Sequence, residues 1–302
     1  MTSRWISGPD EVVALAEFTG RAIAAAGQSS YIHPGDVFHR TFGGNRHLAP
    51  QRCIRVWEDD AGIAAWVLLQ PKHGGFDLQV RPDRRDVDWE AELAAWALHA
   101  LRDLLNEQGK EAKECVADAY TDDPIRIAAL ESSGWARSDD SYFLTARATA
   151  EPFAVELAAG YTIRSAAGLE EAETIAALHA AAFGSTWSPG EYAAYMSNPG
   201  YRTDRELLAV APDGELAAFT VTWHDPNSGT GLFEPVGTHP DHRKLGLGRA
   251  LMAAGVNAMA AAGIHTATVM FEGTNPGSRS LYLGSGFAVA HELVDYTKAM
   301  AG

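Results

Sequence analysis

Two cysteines, Cys53 and Cys115, are all the thiols in 302 residues. So few cannot staple a disulfide framework, and the pair is expected to be reduced and buried, as in a cytoplasmic protein. Long apolar runs are also missing. No stretch approaches the roughly 20 apolar residues that a membrane-spanning helix needs. The opening Met-Thr-Ser-Arg-Trp-Ile-Ser-Gly-Pro-Asp lacks the apolar core of a secretory signal. Basic charge is scarce: 24 Lys and Arg stand against 39 Asp and Glu, a formal net charge of −15. That balance argues against nucleic acid or an anionic membrane as a partner, because both reward a basic face. Metal-ligand spacing is lacking as well. His33, His39 and His47 fall in a glycine-containing loop at intervals that fit no common site, so they read as structural or pocket-lining residues and no metal is expected.

What remains is a chain rich enough in apolar residues to build real cores, of a length that suits two units of about 150 residues. The most informative segment is Arg-Lys-Leu-Gly-Leu-Gly at 243–248. It lies between a strand-like run at 231–239 and a long apolar helix at 245–262. Strand, basic turn with two glycines, then helix is the chemistry of a pyrophosphate cradle. Gly246 and Gly248 carry no Cβ, so an anion can approach the main chain. The first N–H groups of the helix and the positive end of its dipole then point at it. Arg243, Lys244 and Arg249 add cationic donors, and Leu245 and Leu247 complete the turn.

Arg243-x-x-Gly246-x-Gly248 resembles the acyl-CoA signature of the GNAT N-acyltransferase superfamily. Two downstream features agree in order: Asn275, opening Asn-Pro-Gly-Ser-Arg-Ser, and Leu-Tyr-x-x-x-Gly-Phe at 281–287. The resemblance covers 161–298. It implies an acetyl-CoA-dependent N-acetyltransferase, with acetyl-CoA as the acyl-donor substrate, no metal, and direct transfer in a ternary complex. It also implies that main-chain groups of Val236 and Thr238 meet the pantetheine arm, and that Asn275 bonds the pantetheine or its loop. The family's sheet splays between its fourth and fifth strands, and Pro235 suits such a break because it cannot donate to a ladder.

The first half echoes the second. Phe-Asp-Leu-Gln-Val-Arg-Pro-Asp-Arg-Arg at 76–85 tracks 234–243 at an offset of 158, placing Arg85 on Arg243, Asp88 on Gly246 and Glu90 on Gly248. Further on, 122–135 tracks 274–287 at an offset of 152, with Asp123 on Asn275 and Leu130 on Tyr282. A repeat of this length indicates two related domains. Carboxylates at both glycine positions add bulk and repel a pyrophosphate. The expected architecture is therefore an α/β (α+β sandwich) chain of two tandem GNAT-like domains, each a mixed, mostly antiparallel splayed sheet flanked by helices. Residues 1–150 form a degenerate copy without a CoA loop, and 151–302 form the active domain. Trp5, Trp57, Trp66, Trp89 and Trp96 are expected in the core of the degenerate half.

In the second half, strands are expected at 161–164, 206–211, 215–223, 231–238, 266–271 and 287–297, with Asp213-Gly214 as a hairpin turn. Helices are expected at 169–182, 190–196, 245–262 and 277–283. Acetyl transfer to an amine needs a base for the amine, a donor for the carbonyl oxyanion and an acid for the departing thiolate. Tyr282 resembles the family's phenol acid. Glu234, on the strand bordering the wedge, is the candidate base, with His239, His242 and His224 as alternatives. The expected acceptor is a small-molecule amine, and the chain a monomer or homodimer. A non-catalytic acyl-CoA sensor or assembly partner is the rival reading; binding alone would require neither Tyr282 nor Glu234.

Overall fold

A computed structural model describes residues 1–151 and 153–300. The elements run β1 (Thr2–Trp5), α1 (Glu11–Ala26), α2 (Pro34–Phe38), β2 (Ile54–Asp59), β3 (Gly62–Gln70), β4 (Gly75–Val80), α3 (Val87–Glu107), β5 (Glu114–Tyr120), α4 (Pro124–Ser132) and β6 (Ala136–Ala148). They continue with β7 (Thr162–Ser165), α5 (Ala172–Phe183), α6 (Pro189–Met196), β8 (Glu206–Val210), β9 (Leu216–Asp225), β10 (Thr230–Thr238), α7 (Leu247–Ala261), β11 (Thr266–Glu272), α8 (Pro276–Gly284) and β12 (Ala288–Ala299). Two compact units result: Met1–Leu144 with the chain from Val289 onward, and Thr145–Ala288.

In the first unit the strands lie in the order β1-β2-β3-β4-β5-β12. All neighbours are antiparallel except β4 and β5. The run Ala64–Leu69 in β3 is buried throughout, as expected of a central strand covered on both faces. Helix α3 buries Leu93, Ala94, Ala97, Leu98, Leu101, Leu104 and Leu105, an apolar stripe at helical spacing. Cys53 and Cys115 are free and fully buried in this core. Of the five tryptophans expected there, only Trp66 is fully buried; Trp5 is 39% exposed. Trp57, Trp89 and Trp96 are partly buried against that core, and Trp5, Trp57 and Trp96 surround the Arg55 guanidinium, which lies 5.3–5.9 Å from their ring centroids. Cation–π contact lets such rings stand half in water. His33 caps α2, its Nδ1 accepting from the Gly35 amide at 2.9 Å, a structural role.

The second unit repeats the plan. Its order is β7-β8-β9-β10-β11, antiparallel except for the parallel pair β10 and β11. The expected strands and helices are all present, with shifts at their ends; residues 169–171 form a 3-10 turn ahead of α5. The last strand departs from a boundary at 150/151. β12 pairs antiparallel with β5, from Leu293 opposite Tyr120 to Ala299 opposite Glu114, so it completes the first unit. An alternating strand pattern says which face is buried, not which sheet edge it joins.

α7 and α5 lie on opposite faces of β9 and β10. A Cβ at Gly255 of α7 would run into Phe233 and lie 3.2 Å from Thr222, whereas one at Gly237 would meet Phe219 at 2.5 Å and Phe183 of α5 at 3.0 Å. Phe233 therefore faces α7 and Gly237 faces α5, while the Glu234 charge reaches Tyr195 of α6.

Candidate active site

The basic turn folds as an anion seat. Lys244 is the one described non-glycine residue at positive φ, +64°, and Gly246 follows at +76° as the N-cap of α7. Two left-handed residues so close together turn the main chain back on itself, and no side chain caps the helix. The N–H groups of Leu247, Gly248 and Arg249 are thus left for an anion. A Cβ built at Gly246 meets nothing within 4 Å, so the mouth is open. The Leu245 side chain is exposed and the Leu247 side chain is buried, anchoring the helix. Arg243 is held over the turn by the carbonyls of Thr238 (3.3 Å) and Ala182 (3.2 Å), while Lys244 is exposed. Arg249 has partners of its own on α8 and beyond. Its guanidinium donates to the Gly284 carbonyl and lies 5.2 Å from the Phe153 ring, so it ties α7 to the end of α8.

Behind the mouth the sheet opens. β10 and β11 pair only from Thr230–Thr266 to Leu232–Thr268, while β10 continues beside β9 as far as Thr238. The opening begins at a register shift between Phe233 and Val236, where the Glu234–Pro235 peptide is cis. Pairing parity then fixes the main chain. His239 donates to Ala217, so Gly237, two residues back and opposite Phe219, also turns its polar groups toward β9. Val236 and Thr238 turn theirs into the opening.

Glu234 is half-buried at this bulge, its carbonyl accepting from Trp223 Nε1 at 2.8 Å. Tyr282 is buried on α8. Burial raises its phenol above the ordinary value and the Glu234 charge raises it further, against a hydrogen bond with Ser278. The Glu234 charge thus reaches the Tyr282 phenol, and the phenol keeps its proton. Asn275 caps α8, its Oδ1 accepting from Ser278 N at 3.1 Å, and so orients the helix that carries Tyr282. Of the histidine alternatives, His242 is engaged with the Tyr161 hydroxyl at 2.8 Å and His239 accepts from the Asp241 amide at 3.3 Å; His224 is half-buried on β9. Among the described residues no cluster of three or more His, Cys, Asp or Glu is arranged to hold a metal ion, and no helix is long and apolar enough to cross a membrane.

The same positions in the first unit are filled from within. Asp86 caps α3, accepting from the amides of Asp88 and Trp89 at 3.0 and 3.1 Å. Arg85 donates to Glu90 at 2.7 Å and to Asp123 at 2.9 Å, and Arg126 donates to Glu90 at 2.6 Å. Glu90 is fully buried. The arginine that matches Arg243 is thus neutralised by carboxylates standing where the second unit has Gly248 and Asn275.

Reading the sequence missed Glu206, the first residue of β8. Its carboxylate is fully buried and accepts from Tyr192 OH at 2.5 Å and from Tyr201 OH. Burial pushes it up to about 7. The available signal was a lone carboxylate opening the apolar run Leu207–Val210, with tyrosines at 192, 195 and 201 just upstream.

Residues 172–287 match the acetyltransferase (GNAT) family. The chain is 29% identical over 301 aligned residues to a mycothiol acetyltransferase of Kineococcus radiotolerans, covering 95% of this chain and 92% of that protein. It is 31% identical over 135 residues to a mycothiol acetyltransferase of Clavibacter michiganensis subsp. michiganensis, covering 43% and 44%. In fold it resembles a GCN5-related N-acetyltransferase from Sphaerobacter thermophilus (TM-score 0.67, 17% identity, 100% of this chain and 96% of that one). It also resembles a tandem GNAT protein of the clavulanic acid biosynthesis pathway (TM-score 0.66, 18% identity, 100% and 99%). With an uncapped, glycine-led helix behind a splayed sheet, the chain carries a GNAT acetyltransferase domain and is an acyltransferase.

Proposed function

We propose that this chain transfers an acetyl group from acetyl-CoA directly to a primary amine of a small molecule, in a ternary complex within the second unit. The observation that supports this is the uncapped, glycine-led start of α7 beside the end of the β10–β11 pairing, with the Glu234 charge felt by the buried Tyr282 phenol. The seat's amides and Arg243 would hold the pyrophosphate, and the Val236 and Thr238 main chains the pantetheine amides. Glu234 accepts a proton from the ammonium or from the attacking nitrogen. The nitrogen bonds to the thioester carbon and sheds its remaining surplus proton to solvent, the C–S bond breaks, and the sulfur takes the Tyr282 proton, which solvent then restores to the phenolate. The acceptor class rests on the two relatives named mycothiol acetyltransferase. Thiol release from acetyl-CoA across a panel of small primary amines, beside calorimetric titration with acetyl-CoA, tests the reading. Amine-dependent thiol release is the expected result. Tight acetyl-CoA binding with no amine raising thiol release above the rate with water would refute it.

A further inference from the structure

Glu206 sits in an aromatic cluster that leads to Glu234. Its two oxygens hold the hydroxyls of Tyr192 on α6 and Tyr201 after it. Those rings flank Tyr195, with centroids 5.6 and 5.9 Å away. Tyr195 packs edge-on against Trp223 at 6.4 Å, and the Trp223 indole N–H holds the carbonyl of Glu234 at the β10 bulge. Both carboxylates act on Tyr195: burial raises its phenol most, then Glu206, then Glu234. A buried carboxylate is expensive unless it is hydrogen-bonded. This one is retained at the strand end, clamping α6 against the face that carries the base.

Resting on the reading of Glu234 as base, we propose that Glu206 is a positioning residue for it, acting through Tyr192, Tyr201, Tyr195 and Trp223 to fix the bulge from which the Glu234 carboxylate meets the acceptor amine. Burial and the nearby Glu171 raise the Glu206 carboxyl while the Tyr192 and Tyr201 hydroxyls lower it; the balance lies near neutrality. The clamp's charge therefore changes within the working range of pH.

The test is a double-mutant cycle of Glu206→Gln with Glu234→Gln. Thiol release from acetyl-CoA is read with the best amine of the panel and with water alone. Alone, Glu206→Gln is expected to lower kcat/KM by about tenfold, leave acetyl-CoA affinity unchanged and remove an ionisation near pH 7 from the rate profile. In the Glu234→Gln background its effect is expected to shrink below about twofold, because coupled residues are not additive. Tyr201→Phe, which keeps the ring and removes one clamp, is expected to show the same non-additivity at smaller size, and guards against a Glu206 variant that does not fold. Equal losses in both backgrounds would make Glu206 structural only and overturn the inference while leaving the base in place. A Glu234→Gln variant with wild-type rates would overturn both.

Discussion

In the proposed reaction Tyr282 and Glu234 divide the proton traffic, and each makes a separable prediction. Burial and the Glu234 charge both hold the Tyr282 phenol in its neutral form, so across the working range of pH it is a donor. A proton delivered only as the thiolate departs stabilises the transition state and not the bound ground state. Tyr282→Phe is therefore expected to lower kcat by about 10²-fold or more, with acetyl-CoA affinity nearly unchanged. Single-turnover rates beside a binding titration read the two quantities; an unaltered kcat would give the acid role to water. Glu234→Gln is expected to cut kcat/KM most on the acidic limb, where the amine is protonated, and to recover part of the loss at high pH. General-base help is worth about 10²–10⁴-fold. A variant whose pH–rate profile runs parallel to wild type, with less than about a tenfold loss, would pass the role to His224, His239, His242 or a water chain.

At the scale of elements, the seat depends on how α7 begins. Gly246→Asp puts a carboxylate where the helix amides await an anion, and Gly246→Asn puts a neutral side chain of the same shape there. Both residues tolerate the left-handed conformation comparably, so strain cancels between them. The Asp variant is expected to lose acetyl-CoA binding by at least about 100-fold more than the Asn variant; titration of both separates charge from shape, and equal losses would remove the anion seat. This element was legible in the sequence because strand, basic turn and helix are contiguous, and local signals suffice. The place of Glu234 on β10 was legible for the same reason, since Pro235 marks where the ladder is interrupted. The bond from Arg249 to Gly284 was not legible, because spacing shows that a cation is near the turn and not which carbonyl it meets. Glu206 was missed because its partners come from α6 and the loop after it, and no local pattern announces a clamp made in three dimensions. β12 was assigned to the wrong unit for a like reason: its alternation fits any open edge.

For the molecule as a whole, buried carboxyls set how stability depends on pH. Glu206 and Asp77 both keep their protons in the folded state up to about 7, against reference values of 4.5 and 3.8. Burial is the chief cause for each. Between those limits the folded chain binds more protons than the unfolded one, so stability is greatest below about 4 as far as these groups are concerned and declines as pH rises through 7. Glu206→Gln and Asp77→Asn are each expected to flatten the fall of Tm between pH 5 and pH 8; parallel Tm curves for variant and wild type would contradict it. The second whole-molecule prediction concerns stoichiometry. In the first unit Asp86 occupies the helix amides, and Arg85 is neutralised by Glu90 and Asp123. In the second, the amides of α7 have no side-chain cap. Calorimetric titration is expected to give one acetyl-CoA per chain, and two equivalent sites would sink the assignment. Glu90→Gln sharpens the point, since it removes the anion shared by Arg85 and Arg126 in a buried setting. Breaking such a network typically costs about 3–5 kcal/mol, so the variant should unfold earlier. Its acetyl-CoA stoichiometry should remain one, because Asp86 and Asp88 still crowd the start of α3 with negative charge.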